Sequence, residues 1–446
     1  MVRSLSLGVI LLAAVQAMAQ DTPADTSGFN ERNGMQAPPP VSGQAFSTQV
    51  GSEVRMNYLS MGLGTVIAYD NNLVAGYGSK PLSEWSYTVW PTITVDKNTR
   101  RALALVTYTP GFTFYEPTSS FNESDQNLSG NVQYRMAEHT IVSVQDAFLK
   151  SSSIYNAPYA FTGGSVSGSG PSQVTGVIVP FANRISNAST AEVTSQTGEH
   201  TMIGGSGTFG ELDYPNAAQA PGLYNSDSVS GSGFYNQRIS TNQYLGATYQ
   251  YSQIDAYPQN VTSETTSNTI LPFYTIYLKN SETGTLSLSA TAGPEYYSAT
   301  QTGVTQLNAW APSGTASLGW QGRRTNFATS YSHLVTAGGG LSGAYREDDA
   351  KFFARWELTH EWRLNLALAY ANNKNITPLF PFSEPGGHAL SGTLVGEHPL
   401  TRDLMMEVGY DRLHEDYSSI STIASSPDSD RVYISLTYRL TRPLGR

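Results

Sequence analysis

From about Met56 to the C-terminus the chain alternates apolar and polar residues with a period of two, the signature of strands facing two different media. Leu59, Met61, Leu63, Ile67 and Tyr69 share one parity, and Ser60, Gly62, Gly64 and Ala68 the other. Leu128, Val132, Tyr134 and Met136 alternate with Asn127, Ser129, Asn131, Gln133 and Arg135. The same holds for Leu286 to Ala292, for Phe352, Ala354 and Trp356 against Lys351, Phe353, Arg355 and Glu357, and for Trp362 to Tyr370 against Arg363, Asn365, Ala367 and Ala369. Leu404, Met406, Val408 and Tyr410 oppose Asp403, Met405, Glu407 and Gly409, and Val432 to Leu440 oppose Tyr433, Ser435, Thr437 and Arg439. Each apolar row suits a tilted strand of roughly 9–11 residues crossing a bilayer.

Connections decide what kind of sheet this is. Short turns are expected at 97–99, 137–138, 197–199, 240–242, 280–284, 321–324, 360–361 and 398–400. Longer segments fall between them, at 70–84, 116–125, 155–186, 215–227, 256–265, 298–307, 337–347, 374–385 and 415–429. Strict alternation of short and long connections is the asymmetry of membrane barrels, with short periplasmic turns and long outer loops. The fold class expected is all-β: a closed antiparallel transmembrane β-barrel over 56–446 with eighteen strands, or sixteen if 173–214 holds fewer. Either count leaves an aqueous lumen. Trp85, Tyr87, Trp90, Phe112, Phe114, Tyr115, Tyr296, Tyr297, Trp320, Trp356, Trp362 and Tyr370 lie mostly toward strand ends, as interfacial girdles would.

Ahead of the barrel, Arg3, the apolar run Leu5–Ala14 and Ala17-Met18-Ala19 form a secretory signal, with cleavage expected after Ala19. Residues 20–55, with Pro38-Pro39-Pro40, read as a flexible periplasmic leader too short for a folded plug. No later stretch is long and apolar enough for a spanning helix.

Composition agrees with this reading. Only 13% of the 446 residues are charged, whereas about 25% is usual for soluble domains. The absence of cysteine removes disulfides, thiolate metal sites and cysteine nucleophiles, and a net charge of -10 argues against a nucleic-acid partner. No G-x-S-x-G or H-E-x-x-H occurs, Ser332 and His333 must point to opposite faces of a strand, and His139, His200, His360 and His398 sit in or beside turns. Asp70-Asn71-Asn72 and Glu347-Asp348-Asp349 lack calcium-loop spacing. No enzyme, metal or cofactor is expected.

Several segments resemble the β-barrel porin families of bacterial outer membranes: Thr107–Tyr115, the hairpin Gln126–Phe148, Ala292–Tyr296, the hairpin Phe352–Asn373 and Val432–Leu440. The resemblance spans about 56–440 and implies a fold and a location, not a substrate. It also implies partners in outer-membrane lipid and lipopolysaccharide, and in the barrel assembly machinery, which reads an alternating last strand. Here Tyr438 and Leu440 fit that signal, but Thr441–Arg446 follow.

The function expected is passive diffusion of small hydrophilic solutes or ions. An exit component for polysaccharide export or secretion and a structural surface barrel are the alternatives, and homo-oligomers are possible. Wall charges of the polar parity, Arg135, Arg355, Glu357, Arg363, Asp403, Glu407 and Arg439, are the candidate pore-lining residues. Glu407 and Arg439 are positioned to pair. The nine long segments carry -8 of the net charge, from acids such as Asp70, Glu84, Glu347 and Glu415, so mild cation preference is expected. The longest of them, 155–186, with its apolar insert Val177–Phe181, is expected to fold into the lumen as a constriction.

Overall fold

Alternation becomes eighteen strands in the computed structural model, which describes residues 57–74, 81–153, 181–216, 223–257, 262–281, 284–301, 306–336, 345–376, 386–417 and 428–444. The expected signal and leader, most of the 155–186 segment, Lys80 and Glu384 lie outside the described residues. In chain order the strands are β1 Tyr58–Asp70, β2 Glu84–Asn98, β3 Ala102–Glu116, β4 Glu123–Ala137, β5 Thr140–Ser153 and β6 Phe181–Gly198. Next come β7 Thr201–Asp213, β8 Ser226–Ser240, β9 Gln243–Ala256, β10 Ser263–Ser281, β11 Gly284–Gln301 and β12 Leu307–Gly322. The last are β13 Thr325–Thr336, β14 Tyr345–Glu357, β15 Arg363–Asn375, β16 Gly386–Pro399, β17 Leu404–Asp416 and β18 Asp428–Pro443. The count is eighteen, not sixteen, and β6 and β7 cover the region where the strand pattern was weakest.

Every strand pairs antiparallel with its chain neighbours, and β1 pairs with β18 along its whole length, from Tyr58 opposite Pro443 to Asp70 opposite Arg431. The ring is closed, so no described strand offers a free edge to another sheet. Following cross-strand partners once around the ring returns to β1 about 22 residues further along; with a rise of ~3.3 Å and strands ~4.8 Å apart, this sets a tilt of roughly 40° and a backbone diameter of roughly 36 Å. A ring that wide cannot be filled by side chains of its own wall.

The two parities separate as the pattern requires. Met61, Leu63, Ile67 and Tyr69 face outward and stay exposed, while Ser60, Ala68 and Asp70 face inward and are buried. Ile67 lies directly opposite Ile434, and both are about half exposed, at 51% and 53%. Apolar side chains continue this belt around the ring, a surface suited to hydrocarbon rather than water. Its ends carry aromatics: Tyr69 packs on Trp85 and Tyr296 on Trp310 at the loop end, whereas Trp320, Trp356 and Trp362 mark the turn end.

Three of the expected girdle residues face the other way. Trp90, Tyr115 and Tyr297 have the parity of Ser86, Thr113 and Glu295 and point into the lumen. Trp90 lies on Gly111, its direct cross-strand partner, so closely that a Cβ there would meet the indole at 2.9 Å. Phe234 lies on Gly204, Phe273 on Gly246 and Tyr433 on Gly409, again between direct partners. Paired glycines let bulky inward rings lie flat along the wall instead of projecting across the lumen.

Candidate functional site

Lumen chemistry is built from the polar parity, and two cross-strand rows of charge run along the β14–β2 wall. Near the turn end, Glu357 on β14, Arg363 on β15, Glu397 on β16 and Glu407 on β17 are successive direct partners. Arg363 Nη1 stands 3.8 Å from Glu397 Oε2, and Asn365 Nδ2 donates to Glu397 Oε1. Glu397 and Glu407 are like charges placed opposite each other, an arrangement that needs nearby cations. Arg355 on β14 acts on Glu397 and Arg439 on β18 acts on Glu407, supplying that positive field.

Nearer the loop end, Glu84, Asp70, Arg431, Asp411 and Thr393 form a second row of direct partners on β2, β1, β18, β17 and β16. Arg431 Nε lies 3.9 Å from Asp70 Oδ1, and both side chains are essentially inaccessible, at 2% and 0%. Asp411 accepts a 2.8 Å hydrogen bond from Thr393 Oγ1, and Glu84 accepts from the Thr118 backbone N–H at 3.3 Å and from its hydroxyl. One guanidinium thus serves carboxylates on either side. Further along the ring Lys351 Nζ sits 2.7 Å from Asp349, and Glu295 accepts from the Val335 N–H at 3.3 Å.

At the loop end the opposite walls meet. Ala182 of β6, with Tyr214 and Leu223 of the β7–β8 connection, packs in one buried cluster with Tyr345 of β14, Ala389 of β16 and Tyr417 beyond β17. Strands β6 and β15 are nine places apart in an eighteen-strand ring, so this cluster bridges the barrel mouth. Charge accompanies it: Arg184 lies beside Tyr214 on one side, while Glu347 and Glu415 lie beside Tyr417 on the other. Asn373 Nδ2 donates to the Tyr417 hydroxyl at 3.2 Å. Burial pushes the Tyr214 phenol up to about 12, the Arg184 guanidinium opposing that shift and the Glu415 carboxylate adding to it. The narrow point therefore combines aromatic rings with one guanidinium facing two carboxylates.

The sequence-predicted wall residues occupy varied places. Arg135, Arg355, Glu357, Arg363, Glu407 and Arg439 all have inward parity on β4, β14, β15, β17 and β18. Asp403 lies outside the wall, in the exposed β16–β17 turn, where its carbonyl accepts from the Arg439 N–H at 2.8 Å. Glu407 and Arg439 feel each other's charge, but the direct cross-strand partner of Glu407 is Ser435. Glu397, Asp411, Arg431, Asp349 and Glu295 were not singled out, although each occupies a polar-parity position. Asp70, Glu84, Glu347 and Glu415, expected to contribute as loop charge, belong to strand ends and point inward. Asp227, Glu264, Asp416 and Asp428, counted with them, point outward.

His333 also faces outward, its Nδ1 2.7 Å from Asp348, while Ser332 faces the lumen. His398 belongs to the end of β16 and stacks on Trp362 with ring centroids 4.7 Å apart.

No protein-family model matches the chain, and no curated protein matches it. Solved structures similar to it include Acinetobacter baumannii OccAB3 (8% identity, TM-score 0.40, covering 86% of this chain and 99% of that one). Pseudomonas aeruginosa OccK2 (OpdF) is similar at 8% identity and TM-score 0.42, covering 86% and 98%. Pseudomonas aeruginosa OpdK, solved with vanillate, is similar at 8% identity and TM-score 0.41, covering 86% and 99%.

Proposed function

We propose that this chain is an outer-membrane channel for passive diffusion of small hydrophilic solutes or ions, with a mild preference for cations. The observation that carries the reading is a closed ring, apolar outside and polar inside, narrowed at one end where opposite walls meet. Water fills such a lumen, and the fixed charge on its wall acts in a low-dielectric surround that focuses the field. Among the described residues inward carboxylates outnumber inward guanidinium and ammonium groups, and Glu347 and Glu415 stand at the narrow mouth, which supports cation entry. Export by a cleaved signal over 1–19 and a periplasmic leader over 20–55 belong to the same proposal. So do lipopolysaccharide around the belt and recognition of the outward row Val432 to Leu440 by the assembly machinery.

The buried mouth cluster gives one rival reading physical content, a surface barrel with a blocked lumen. Reconstitution of the purified chain in a planar bilayer separates the two. The channel reading expects discrete conductance steps and a reversal potential shifted toward the cation equilibrium value across a salt gradient. Silent incorporation would leave the blocked barrel, and a shift toward the anion value would remove the cation preference.

A further inference from the structure

The outer belt is interrupted on one side. Asp146, seventh of the fourteen residues of β5, faces outward between Val144 and Phe148 and accepts a hydrogen bond from Ser189 Oγ, which lies mid-strand on β6. A carboxylate at the middle of a lipid-facing strand is costly in hydrocarbon and marks a place where lipid is not the neighbour.

Beside it the belt is hollow. Gly205 lies opposite Gly233 and Gly207 opposite Gly231 at the centres of β7 and β8, between the outward pairs Phe209–Val229 and Ile203–Tyr235. Their own fold does not demand glycine throughout: a Cβ at Gly207, Gly231 or Gly233 would find its nearest neighbour at 3.8 or 3.9 Å. The hollow is shaped for something outside the chain.

Charge on the same face identifies the occupant. Toward the loop end β5 carries the exposed Lys150, four residues beyond Asp146. At the corresponding level β7 and β8 carry Glu211 and Asp227, direct cross-strand partners of like charge, with Asp255 of β9 opposite Asp227 in turn. Adjacent like charges repel and call for a cation from elsewhere.

We propose that the β5–β8 face is the contact surface for a second copy of this chain, related by a two-fold axis along the membrane normal passing between β6 and β7. That rotation keeps every residue at its own depth and lays β5 against the partner's β8, and β6 against the partner's β7. Lys150 of each copy then meets the acidic pair of the other, the glycine waist of each copy receives β5 and β6 of the other, and Asp146 and Ser189 leave the lipid. The face is self-complementary in charge and in depth, as a two-fold contact requires. This inference rests on the membrane-barrel reading.

The chain has no cysteine, so a single introduced thiol reports the contact without background. Gly207→Cys, close to the proposed axis, should give a disulfide-linked dimer on mild oxidation of intact outer membranes, whereas Leu394→Cys on β16, across the ring, should not. In the Gly207→Cys background, Lys150→Glu should lower the cross-linked fraction severalfold, and adding Asp227→Lys should restore it. That restoration distinguishes an intermolecular pair from a folding defect. A monomer at Gly207→Cys, a cross-link to a different protein, or no recovery in the charge swap would overturn the two-fold contact. Recovery of the chain from the soluble fraction would overturn the membrane reading along with it.

Discussion

Tyr433 and Gly409 show how single residues set the shape of the lumen. Tyr433 can lie along the wall only because its cross-strand partner lacks a side chain; a Cβ at Gly409 would meet the phenol ring at 2.1 Å. Gly409→Ala should therefore lift the ring into the lumen, destabilise the barrel by about 1–3 kcal/mol and reduce single-channel conductance. Heat-modifiable gel mobility reads the first effect and bilayer recording the second. Arg431 is the other residue on which much depends, since it alone stands between the buried Asp70 and Asp411 in their row. Removing it leaves carboxylates without their counter-charge, so Arg431→Ala should destabilise by about 3–5 kcal/mol, while Asp70→Asn in the same background should recover part of the loss. Denaturant titration of the folded fraction tests both. The polar parity of these residues was plain in the sequence. Which of them become neighbours was not, because partners such as Asp70 and Arg431 are separated by almost the whole chain and are joined only by ring closure.

Among the elements, the β7–β8 connection has the largest functional consequence. Segment 155–186 was the expected constriction because it is long and holds an apolar insert; residues 154–180 lie outside the described set. Among the described residues, contact across the mouth involves Ala182, at the end of that segment, together with Tyr214 and Leu223, from a shorter segment that carried no such signal. Tyr214→Ala with Leu223→Ala should widen the mouth and raise single-channel conductance, whereas the same pair of changes at outward positions, Phe209→Ala with Val229→Ala, should leave it unchanged. Equal conductance in all three proteins would show that the narrow point lies elsewhere. The last strand also differs from expectation in extent. β18 continues past Tyr438 to Pro443, and Thr441 still pairs with Ser60, so residues after the apolar row complete the closing seam with β1 rather than trailing from it.

For the whole molecule, selectivity follows from where charge lies relative to the lumen. Of the acids assigned to the outer segments, Glu347 and Glu415 point inward at the mouth, whereas Asp227 and Asp428 point outward and cannot act on a permeating ion at close range. Glu347→Gln with Glu415→Gln should therefore lower the cation preference measured by reversal potential, and Asp428→Asn should not. By itself the sequence determined the strand class, the alternation of short and long connections, a count narrowed to eighteen or sixteen, and which parity is apolar. Those properties are local: a period of two and the chemistry of turns are written residue by residue along the chain. Only the tertiary structure decided that Trp90 and Tyr433 lie flat inside, that carboxylates gather around Arg431 and that β6 meets β14–β17 across the mouth. Such contacts depend on strand register, accumulated stagger and closure of the ring, which no stretch of neighbouring residues encodes.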